Sequence, residues 1–215
     1  MSLRSTYRRL YMKCTSLSIL WQGNRRYTRR LYKVWSVFYD LGLRSDPAYR
    51  RTGERMVRGV VHKSDRVLDV GTGTGFLIEF GAPLASEYVG LDYTGAMLKK
   101  AALKIAKWRY PNVALRWGDA VELLLPDASF DAAVSSFMLA HLPPPSRRRA
   151  LAEIFRVLKP GGRLGLCQAQ GEQFPLFSSR EEMQGHLEAI GFGHIEFIDN
   201  DDVFRTVTAV KPAAG

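Results

Sequence analysis

Val67-Leu-Asp-Val-Gly-Thr-Gly-Thr-Gly75 is the most informative stretch of this 215-residue chain. Its first four residues are apolar apart from one aspartate and end at a glycine, which predicts a short strand buried on both faces of a parallel sheet. Gly71, Gly73 and Gly75 lack a Cβ and can adopt positive φ, so the backbone can turn sharply and a ligand can lie directly against it. The stretch therefore predicts a strand followed by a ligand-binding turn.

The spacing of the glycines bears on which ligand this turn holds. In the dinucleotide-binding fingerprint the third glycine would fall at position 76, where this chain has Phe76. The spacing GxGxG makes NAD and FAD less favoured ligands. No G-x-x-x-x-G-K-[ST] phosphate loop occurs, and Phe76 and Leu77 follow the turn without a cation. A glycine turn can also serve only to pack a helix against a strand, so this motif alone leaves both interpretations open.

Acidic residues follow the next two predicted strands. The apolar run 88–92 ends in Asp92, about 20 residues beyond the glycine turn, where a carboxylate can accept hydrogen bonds from both ribose hydroxyls. Asp92 could instead cap the following helix, but Thr94 is a competing cap. A third acid, Asp119, follows the run 113–117. With Asp69, these acids at three successive strands indicate one ligand.

The rest of the chain alternates between strand and helix patterns, which predicts a parallel sheet with helices on both faces. Apolar runs predict further strands over 130–137, 163–168, 195–199 and 203–210. Periodicity and end signals predict helices over 74–85, 94–108, 146–158 and 178–190. Ser178 and Glu181 match a capping box, and Lys159-Pro-Gly-Gly162 is the expected end of the third helix. No long linker interrupts the chain, so one domain is expected.

These motifs resemble those of class I S-adenosylmethionine-dependent methyltransferases, in particular the ubiquinone/menaquinone C-methyltransferase and bacterial phospholipid N-methyltransferase families. The resemblance covers roughly residues 30–210, and it is specific for the superfamily but only weakly so for a substrate. It is carried by five stretches, namely Val67-Leu-Asp-Val-Gly-Thr-Gly-Thr-Gly75, Val89-Gly-Leu-Asp-Tyr-Thr-Gly-Ala-Met-Leu98, Gly118-Asp-Ala120, Phe130-Asp-Ala-Ala-Val-Ser-Ser136 and Arg156-Val-Leu-Lys-Pro-Gly-Gly162.

The resemblance implies a Rossmann-like, seven-stranded, mostly parallel sheet with S-adenosylmethionine as cofactor. It assigns a cofactor site whose residues along the chain are Asp69, Gly71, Thr72, Gly73, Gly75, Asp92, Tyr93, Met97, Asp119, Ala120 and Ser135. The glycine turn with Asp69 would hold the methionine moiety and Asp92 the ribose. Asp119 and the Ala120 amide would hold the adenine, with Met97 or Leu98 packed on its ring. This ligand has no phosphate and carries a sulfonium and an ammonium, so an acid-lined site fits it.

The excess positive charge lies at the start of the chain. Residues 1–60 contain 14 Lys and Arg against three acids, whereas the remaining 155 residues contain 17 against 18. Aromatic and apolar residues recur there at steps of three and four, which predicts two basic amphipathic helices, one over 3–21 and one over 31–41. We therefore expect residues 1–56 to form a basic, aromatic helical extension and residues 57–215 the methyltransferase domain.

Basic amphipathic helices with interfacial aromatics suit an anionic membrane surface, so residues 1–40 are predicted to dock there. The alternatives are that both helices pack on the domain as a lid, or that the segment is a cleaved mitochondrial presequence. Nucleic acid is a less favoured partner, although interleaved arginines and aromatics can bind it. No apolar stretch in this segment approaches the roughly 20 residues that span a bilayer. A cytoplasmic protein, peripheral on the inner face of the membrane, is expected.

The cysteines and histidines do not indicate a metal site. Cys14 and Cys167 form no paired spacing, and the four histidines show no HxxxH or HxH arrangement. His141 follows the predicted strand 130–137, at the edge where ligands bind in such sheets, and is a candidate for the acceptor pocket or for a general base. Tyr39 with Asp40 matches a pair that the resembling family places over the cofactor, where either residue would cap the sulfonium or orient the acceptor. The alternative is that Tyr39 is an interfacial tyrosine.

The predicted function is methyl transfer to a lipid-associated acceptor, either a phospholipid amine headgroup or an isoprenoid quinol. An Asn-Pro-Pro-Tyr motif, typical of enzymes that methylate planar amino groups, is absent, since Val134-Ser-Ser-Phe137 stands at that place. The alternatives are a soluble small-molecule methyltransferase and a cofactor-binding or RNA-binding module without catalysis. Acceptor pockets in this fold are built from variable helices and loops, so the acceptor itself is not predicted.

Overall fold

A computed structural model of the chain describes residues 46–170, 172, 174 and 176–213. The predicted amphipathic helices, the membrane segment 1–40 and the candidate Tyr39 lie outside these residues. Within them the elements alternate along most of the chain. The strands are β1 (Arg66–Val70), β2 (Glu87–Asp92), β3 (Val113–Trp117), β4 (Phe130–Ser136), β5 (Leu158–Ala169), β6 (Gly193–Asp199) and β7 (Phe204–Val210).

The strands form one seven-stranded sheet in the order β3-β2-β1-β4-β5-β7-β6. All pairs from β3 to β5 are parallel, and β7 runs antiparallel to both β5 and β6. The predicted mostly parallel, Rossmann-like sheet is confirmed. Because the strand order reverses beside β1, the carboxyl ends of β1, β2 and β4 meet at the switch point where such sheets bind ligands.

Helices cover both faces of the sheet, as predicted. They are α1 (Pro47–Val60), α2 (Ile78–Gly81), α3 (Gly95–Trp108), α4 (Pro144–Val157) and α5 (Arg180–Ile190), with a 3₁₀ turn over Leu139–His141. Apolar side chains of α1 and α2 form one core with the sheet, and α3 packs at its margin. Those of α4 and α5 form a second core on the opposite face.

The predicted domain boundary between residues 56 and 57 lies inside α1. This helix is capped by Asp46, whose side chain accepts from the Ala48 amide, and begins with Pro47. It contributes fully buried side chains on both sides of that boundary, including Tyr49 and Val57. The sheet therefore requires residues from at least Pro47 onward.

Three local predictions differ from the structure. Only Ile78–Gly81 is helical within 74–85, because Gly75 has φ +82° and cannot start a helix. Lys159-Pro-Gly-Gly162 is not a separate turn but the start of β5, where Gly161 donates to the Lys211 carbonyl and the Lys211 amide donates to Gly162. The cap of α5 is Ser179, one residue later than predicted, and its hydroxyl accepts from the Glu182 amide at 3.2 Å.

Candidate cofactor and acceptor site

The glycine turn adopts the backbone conformation that its sequence predicts. Gly71, Gly73 and Gly75 have φ of +75°, +55° and +82°. The amides of Gly71 and Thr72 both donate to the Leu91 carbonyl, at 2.8 and 2.9 Å, and so join the turn to β2. A Cβ on Gly71 would lie 2.4 Å from the Met138 side chain, whereas one on Gly73 would meet only a carbonyl oxygen at 3.9 Å. Backbone at Gly73 is thus open to a ligand.

Asp92 connects the ends of three strands. One carboxylate oxygen accepts from the Gly73 amide at 2.9 Å and the other from the Thr94 amide at 2.7 Å. The Gly118 amide, after β3, donates to the Asp92 carbonyl at 3.2 Å. Thr94 occupies the N-cap position of α3, as predicted, although its side chain makes no capping hydrogen bond. Burial raises the pKa of Asp92, although these two amides act to lower it.

Asp69 lies beneath the turn, where its carboxylate is fully buried. It accepts hydrogen bonds from the Thr72 hydroxyl at 2.6 Å and from the Tyr88 hydroxyl at 3.1 Å. Burial raises the pKa of Asp69 to about 7, despite these two donors. The observed partners of Asp69 and Thr72 are therefore each other and Tyr88, and both side chains support the turn from below.

The predicted adenine residues lie past the ends of β2 and β3. Met97 and Ala120 are buried, and Asp119 accepts from the Val121 amide at 3.1 Å. Beside them the indole of Trp117 donates to the Tyr93 carbonyl at 2.9 Å, and the two rings lie 5.6 Å apart. The structure thus brings all the predicted cofactor residues to one edge of the sheet or directly beneath it.

A small pocket with a cavity volume of about 10 Å³ lies between the carboxyl ends of β4 and β5. Ser135 lines it, and its hydroxyl donates to the Val70 carbonyl at 2.7 Å, directly before the glycine turn. The lining is mostly apolar and consists of Ser135, Phe137, Met138, Leu139, Ala140, Leu166, Cys167, Gln168 and Phe177. Of these, only Ser135 is predicted from the sequence as a site residue. The signal that could have found others is their place just after β4, where this fold binds ligands.

Phe137 gives the pocket its shape through an unusual backbone. Its φ of 61° is rare for a bulky residue and costs about 1–3 kcal/mol. The ring is held by an edge contact with Tyr49 at 5.3 Å and another with Phe177 at 5.1 Å. Tyr49 also forms a 2.6 Å hydrogen bond with Ser136 and stacks on Phe76 at 4.2 Å. An α1 side chain therefore fixes both the glycine turn and the end of β4.

His141 ends the 3₁₀ turn next to the pocket residues Leu139 and Ala140. Burial, with the nearby Arg147 charge, lowers the pKa of His141 to about 4. The imidazole is neutral at pH 7 but a weak base. Arg147 is 6% exposed and donates to the carbonyls of Leu142, at 3.0 Å, and Leu176, at 2.7 Å. It joins the loop after β4 to the loop after β5.

The remaining reactive groups of the described residues do not extend the site's chemistry. Burial raises the pKa of the Cys167 thiol to about 12, which keeps it protonated. No group of three or more His, Cys, Asp or Glu side chains that could hold a metal occurs in the part of the chain that the structure describes. The site fits a ligand that lies on open glycine backbone beside carboxylates, as S-adenosylmethionine requires.

Comparison with known proteins agrees with this geometry. Residues 67–162 match a family model described as a methyltransferase domain. The chain is 32% identical to O-methyltransferase resE of Aspergillus sclerotiorum, over 85% of this chain and 78% of that protein. It is 35% identical to a phosphatidylethanolamine N-methyltransferase of Cereibacter sphaeroides, over 63% of this chain and 64% of that one. A demethylmenaquinone methyltransferase of Renibacterium salmoninarum is 40% identical, over 52% of this chain and 44% of that protein.

Among solved structures, an S-adenosylmethionine-dependent methyltransferase from Aquifex aeolicus has a TM-score of 0.69 at 23% identity, covering 77% of this chain and 94% of that one. This likeness concerns the fold. The chain spans less than two thirds of the quinone and phospholipid relatives, but most of the O-methyltransferase. The glycine turn, the acids at the strand ends and these matches together place the chain in the family of S-adenosylmethionine-dependent methyltransferases, with S-adenosylmethionine as its cofactor.

Proposed function

We propose that this enzyme methylates the amine headgroup of a membrane phospholipid. The observation that carries the proposal is the mostly apolar pocket beside the glycine turn. Met138 lines this pocket and also lies against Gly71, so the pocket and the turn share a wall. The relatives named for phosphatidylethanolamine and demethylmenaquinone support a lipid-associated acceptor. An apolar wall suits an acceptor that arrives with hydrocarbon attached, and it excludes water from the reacting atoms.

The residues that would hold the cofactor are those at the ends of β1, β2 and β3. We propose that the open backbone at Gly73 receives the methionine moiety, Asp92 the ribose hydroxyls, and Asp119 with Ala120 the adenine. Met97 and Tyr93 would bound the adenine side, and Asp69 and Thr72 would act from below by supporting the turn. When bound, the cofactor supplies an activated methyl group from its sulfonium to the lone pair of the acceptor.

The candidate general base near the pocket favours an amine over a quinol ring carbon as the methyl acceptor. Methylation of a quinol ring requires a phenolate, and therefore a base near the pocket. His141 is the nearest candidate among the described residues, but its pKa of about 4 makes it a poor acceptor for a phenol proton. The amine headgroup is mostly an ammonium at pH 7 and loses its first proton to water before it enters the site. The neutral nitrogen then attacks the methyl group through its lone pair, and the proton of the new ammonium also passes to water. In this proposal His141 lines the acceptor side as a neutral group.

Association with the membrane is the second part of the proposal. Residues 1–40 carry nine Lys and Arg and one acid, and we propose that they attract an anionic bilayer on the cytoplasmic face, with Tyr39 near the acceptor. None of the described helices is both long enough and apolar enough to cross a bilayer. We propose that the association is peripheral.

The experiment is transfer of labelled methyl from S-adenosylmethionine to a total lipid extract presented as anionic liposomes, followed by chromatography. Label in a polar phospholipid band is the expected result. Label in the neutral quinone band would replace the amine by a ring carbon. Absence of lipid label would contradict the lipid acceptor, and the same reaction with a soluble extract would then be the next assay.

A soluble small-molecule O-methyltransferase is the second candidate. It is favoured by the relative resE, an O-methyltransferase of which this chain covers 78%. In the experiment above, label confined to water-soluble or phenolic products would establish this candidate.

A further inference from the structure

The edge of the sheet formed by α3 and β3 carries a local excess of positive charge. Residues 93–118 contain six Lys and Arg and no Asp or Glu. The rest of residues 61–215 contains 11 Lys and Arg against 18 Asp and Glu, so the near-neutral composition of residues 61–215 conceals this excess. These cations are Lys99, Lys100, Lys104, Lys107, Arg109 and Arg116.

The exposed face of α3 places an apolar side chain between two of these lysines. Lys99, Leu103 and Lys107 are exposed and follow one another at steps of four residues, so they form a single stripe along the helix. Leu103 is 74% exposed, and the neighbouring positions on this face are Ala102 and Ala106. A leucine so exposed gains nothing from the core of its own domain.

Trp117 extends this surface toward the cofactor site. It is 61% exposed at the end of the edge strand β3, although its indole nitrogen already donates to the Tyr93 carbonyl. The next residue, Gly118, donates to Asp92. A partner that contacts Leu103 and Trp117 would therefore lie beside the entrance to the site.

We propose that this α3–β3 surface, residues 93–118, is a second docking surface for an anionic lipid bilayer, separate from residues 1–40. Lysines around a protruding leucine match an interface in which ammonium groups reach lipid phosphates while the apolar side chain enters the acyl boundary. A tryptophan that is both exposed and hydrogen-bonded suits the same interface. Ala102, Leu103 and Ala106 offer no side-chain donors to a nucleic acid. Residues 1–45 carry ten Lys and Arg and one acid, so charge repulsion opposes their covering this surface.

The inference rests on the proposed function only in its choice of a lipid partner, and its test separates the two. The full-length protein is sedimented with vesicles of phosphatidylcholine containing roughly 30% phosphatidylglycerol. We expect K99E/K107E to lower the apparent partition constant for these vesicles about tenfold or more. L103Q should lower the constant at high salt as well, because salt screens charge contacts but not the insertion of an apolar side chain. The matched control is R148E/R149E, an equal charge change on the exposed face of α4, expected to lower it less than about twofold.

Three results would overturn the inference. They are a wild-type protein that does not sediment with these vesicles, a K99E/K107E variant that sediments like the wild type, and equal losses in K99E/K107E and R148E/R149E. Binding of a fluorescent single-stranded RNA that depends on Lys99 and Lys107, with vesicle binding unchanged, would assign the surface to nucleic acid instead. R4Q/R8Q/R9Q in the full chain tests residues 1–40 independently. Methyl transfer to the lipid extract in detergent micelles tests the acceptor without either docking surface.

Discussion

Asp92 supports the glycine turn in a way that is compatible with the ribose contact proposed for it. Both of its carboxylate oxygens already accept a backbone amide, from Gly73 and Thr94. Each oxygen retains a further lone pair, so a ribose hydroxyl can be accepted without displacing either amide. The amides would then hold the carboxylate in place before the cofactor arrives, which lowers the entropy that binding costs.

Asp92→Ala should therefore weaken S-adenosylmethionine binding by about 1.5–3 kcal/mol, since a charge-assisted contact is lost. Isothermal titration calorimetry measures this affinity. The matched control is Asp131→Ala at the opposite end of the sheet, where Asp131 likewise accepts a backbone amide, from Arg66, and contacts Lys159. Asp131→Ala should leave the affinity unchanged. An Asp92→Ala variant with wild-type affinity would refute the ribose assignment.

Asp69 should make stability depend on pH. Its pKa is about 7 in the fold and 3.8 in a model compound, so between these values the folded protein holds a proton that the unfolded chain has lost. Stability therefore falls as pH rises through this window, and the contribution is constant above it. Asp69→Asn removes the titration. Relative to the wild type, the free energy of unfolding of Asp69→Asn should rise by roughly 2–3 kcal/mol as the pH increases from 4.5 to 6.5. Denaturant unfolding at each pH measures this difference.

Asp131→Asn is the control for this pH series. Burial acts to raise the pKa of Asp131, but the hydrogen bonds from Lys159 and the Arg66 amide leave it lowered. Asp131 is thus ionised in both folded and unfolded protein above pH 4.5, and its substitution should produce an offset that does not change with pH. A flat difference for Asp69→Asn as well would mean that Asp69 ionises normally.

At the scale of elements, α1 is part of the site as well as of the core. Tyr49 bonds to Ser136, and Gly53 admits the Phe76 ring, which follows the glycine turn. The charge pattern predicts that this helix up to residue 56 belongs to a separate extension, because basic residues occur on both sides of the helix start. Whether this segment forms a helix depends on neighbouring residues in the chain. The face that the helix buries depends on the rings of Phe76 and Phe137, which are distant in sequence.

Two glycines of α1 provide a matched pair of substitutions. A Cβ on Gly53 would lie 2.6 Å from the Phe76 ring, whereas one on Gly59 would meet nothing within 4 Å. Gly53→Ala should destabilise the protein by about 1–3 kcal/mol through overpacking and weaken cofactor binding. Gly59→Ala should stabilise it by about 0.5–1 kcal/mol. Chemical denaturation measures the stability of both variants. Equal stabilisation by Gly53→Ala and Gly59→Ala would mean that the Phe76 ring moves aside freely.

At the scale of the whole molecule, one guanidinium holds together the two loops that wall the pocket. Arg147 donates to Leu142 after β4 and to Leu176 after β5. Burial lowers the pKa of Arg147, with Glu182 acting to raise it, yet arginine remains charged in proteins. Bonding to both carbonyls at once requires the planar guanidinium with its several N–H donors, which the ammonium of lysine cannot replace.

Arg147→Lys should destabilise the protein by about 1–3 kcal/mol and reduce methyl transfer to the lipid extract, since one carbonyl loses its donor. Binding of S-adenosylmethionine should change little, because most of the residues proposed to hold the cofactor lie at the ends of β1, β2 and β3. The adjacent, exposed Arg148→Lys is the control and should leave both properties unchanged. A matching loss of cofactor affinity in Arg147→Lys would show that the loops also shape the cofactor site.

Residue patterns were enough to predict the mostly parallel sheet, the glycine turn and the acids at the strand ends. These are local properties: burial periodicity sets a strand, and a missing Cβ permits positive φ at Gly71 and its neighbours. No residue pattern predicts that Asp69 lies beneath the turn or that Phe137, Met138 and Phe177 share a pocket. The same holds for the packing of α1 in the core and for the exposure of Leu103 and Trp117 on one basic edge. Burial and side-chain contact between distant segments depend on packing, which neighbouring residues in the chain do not specify.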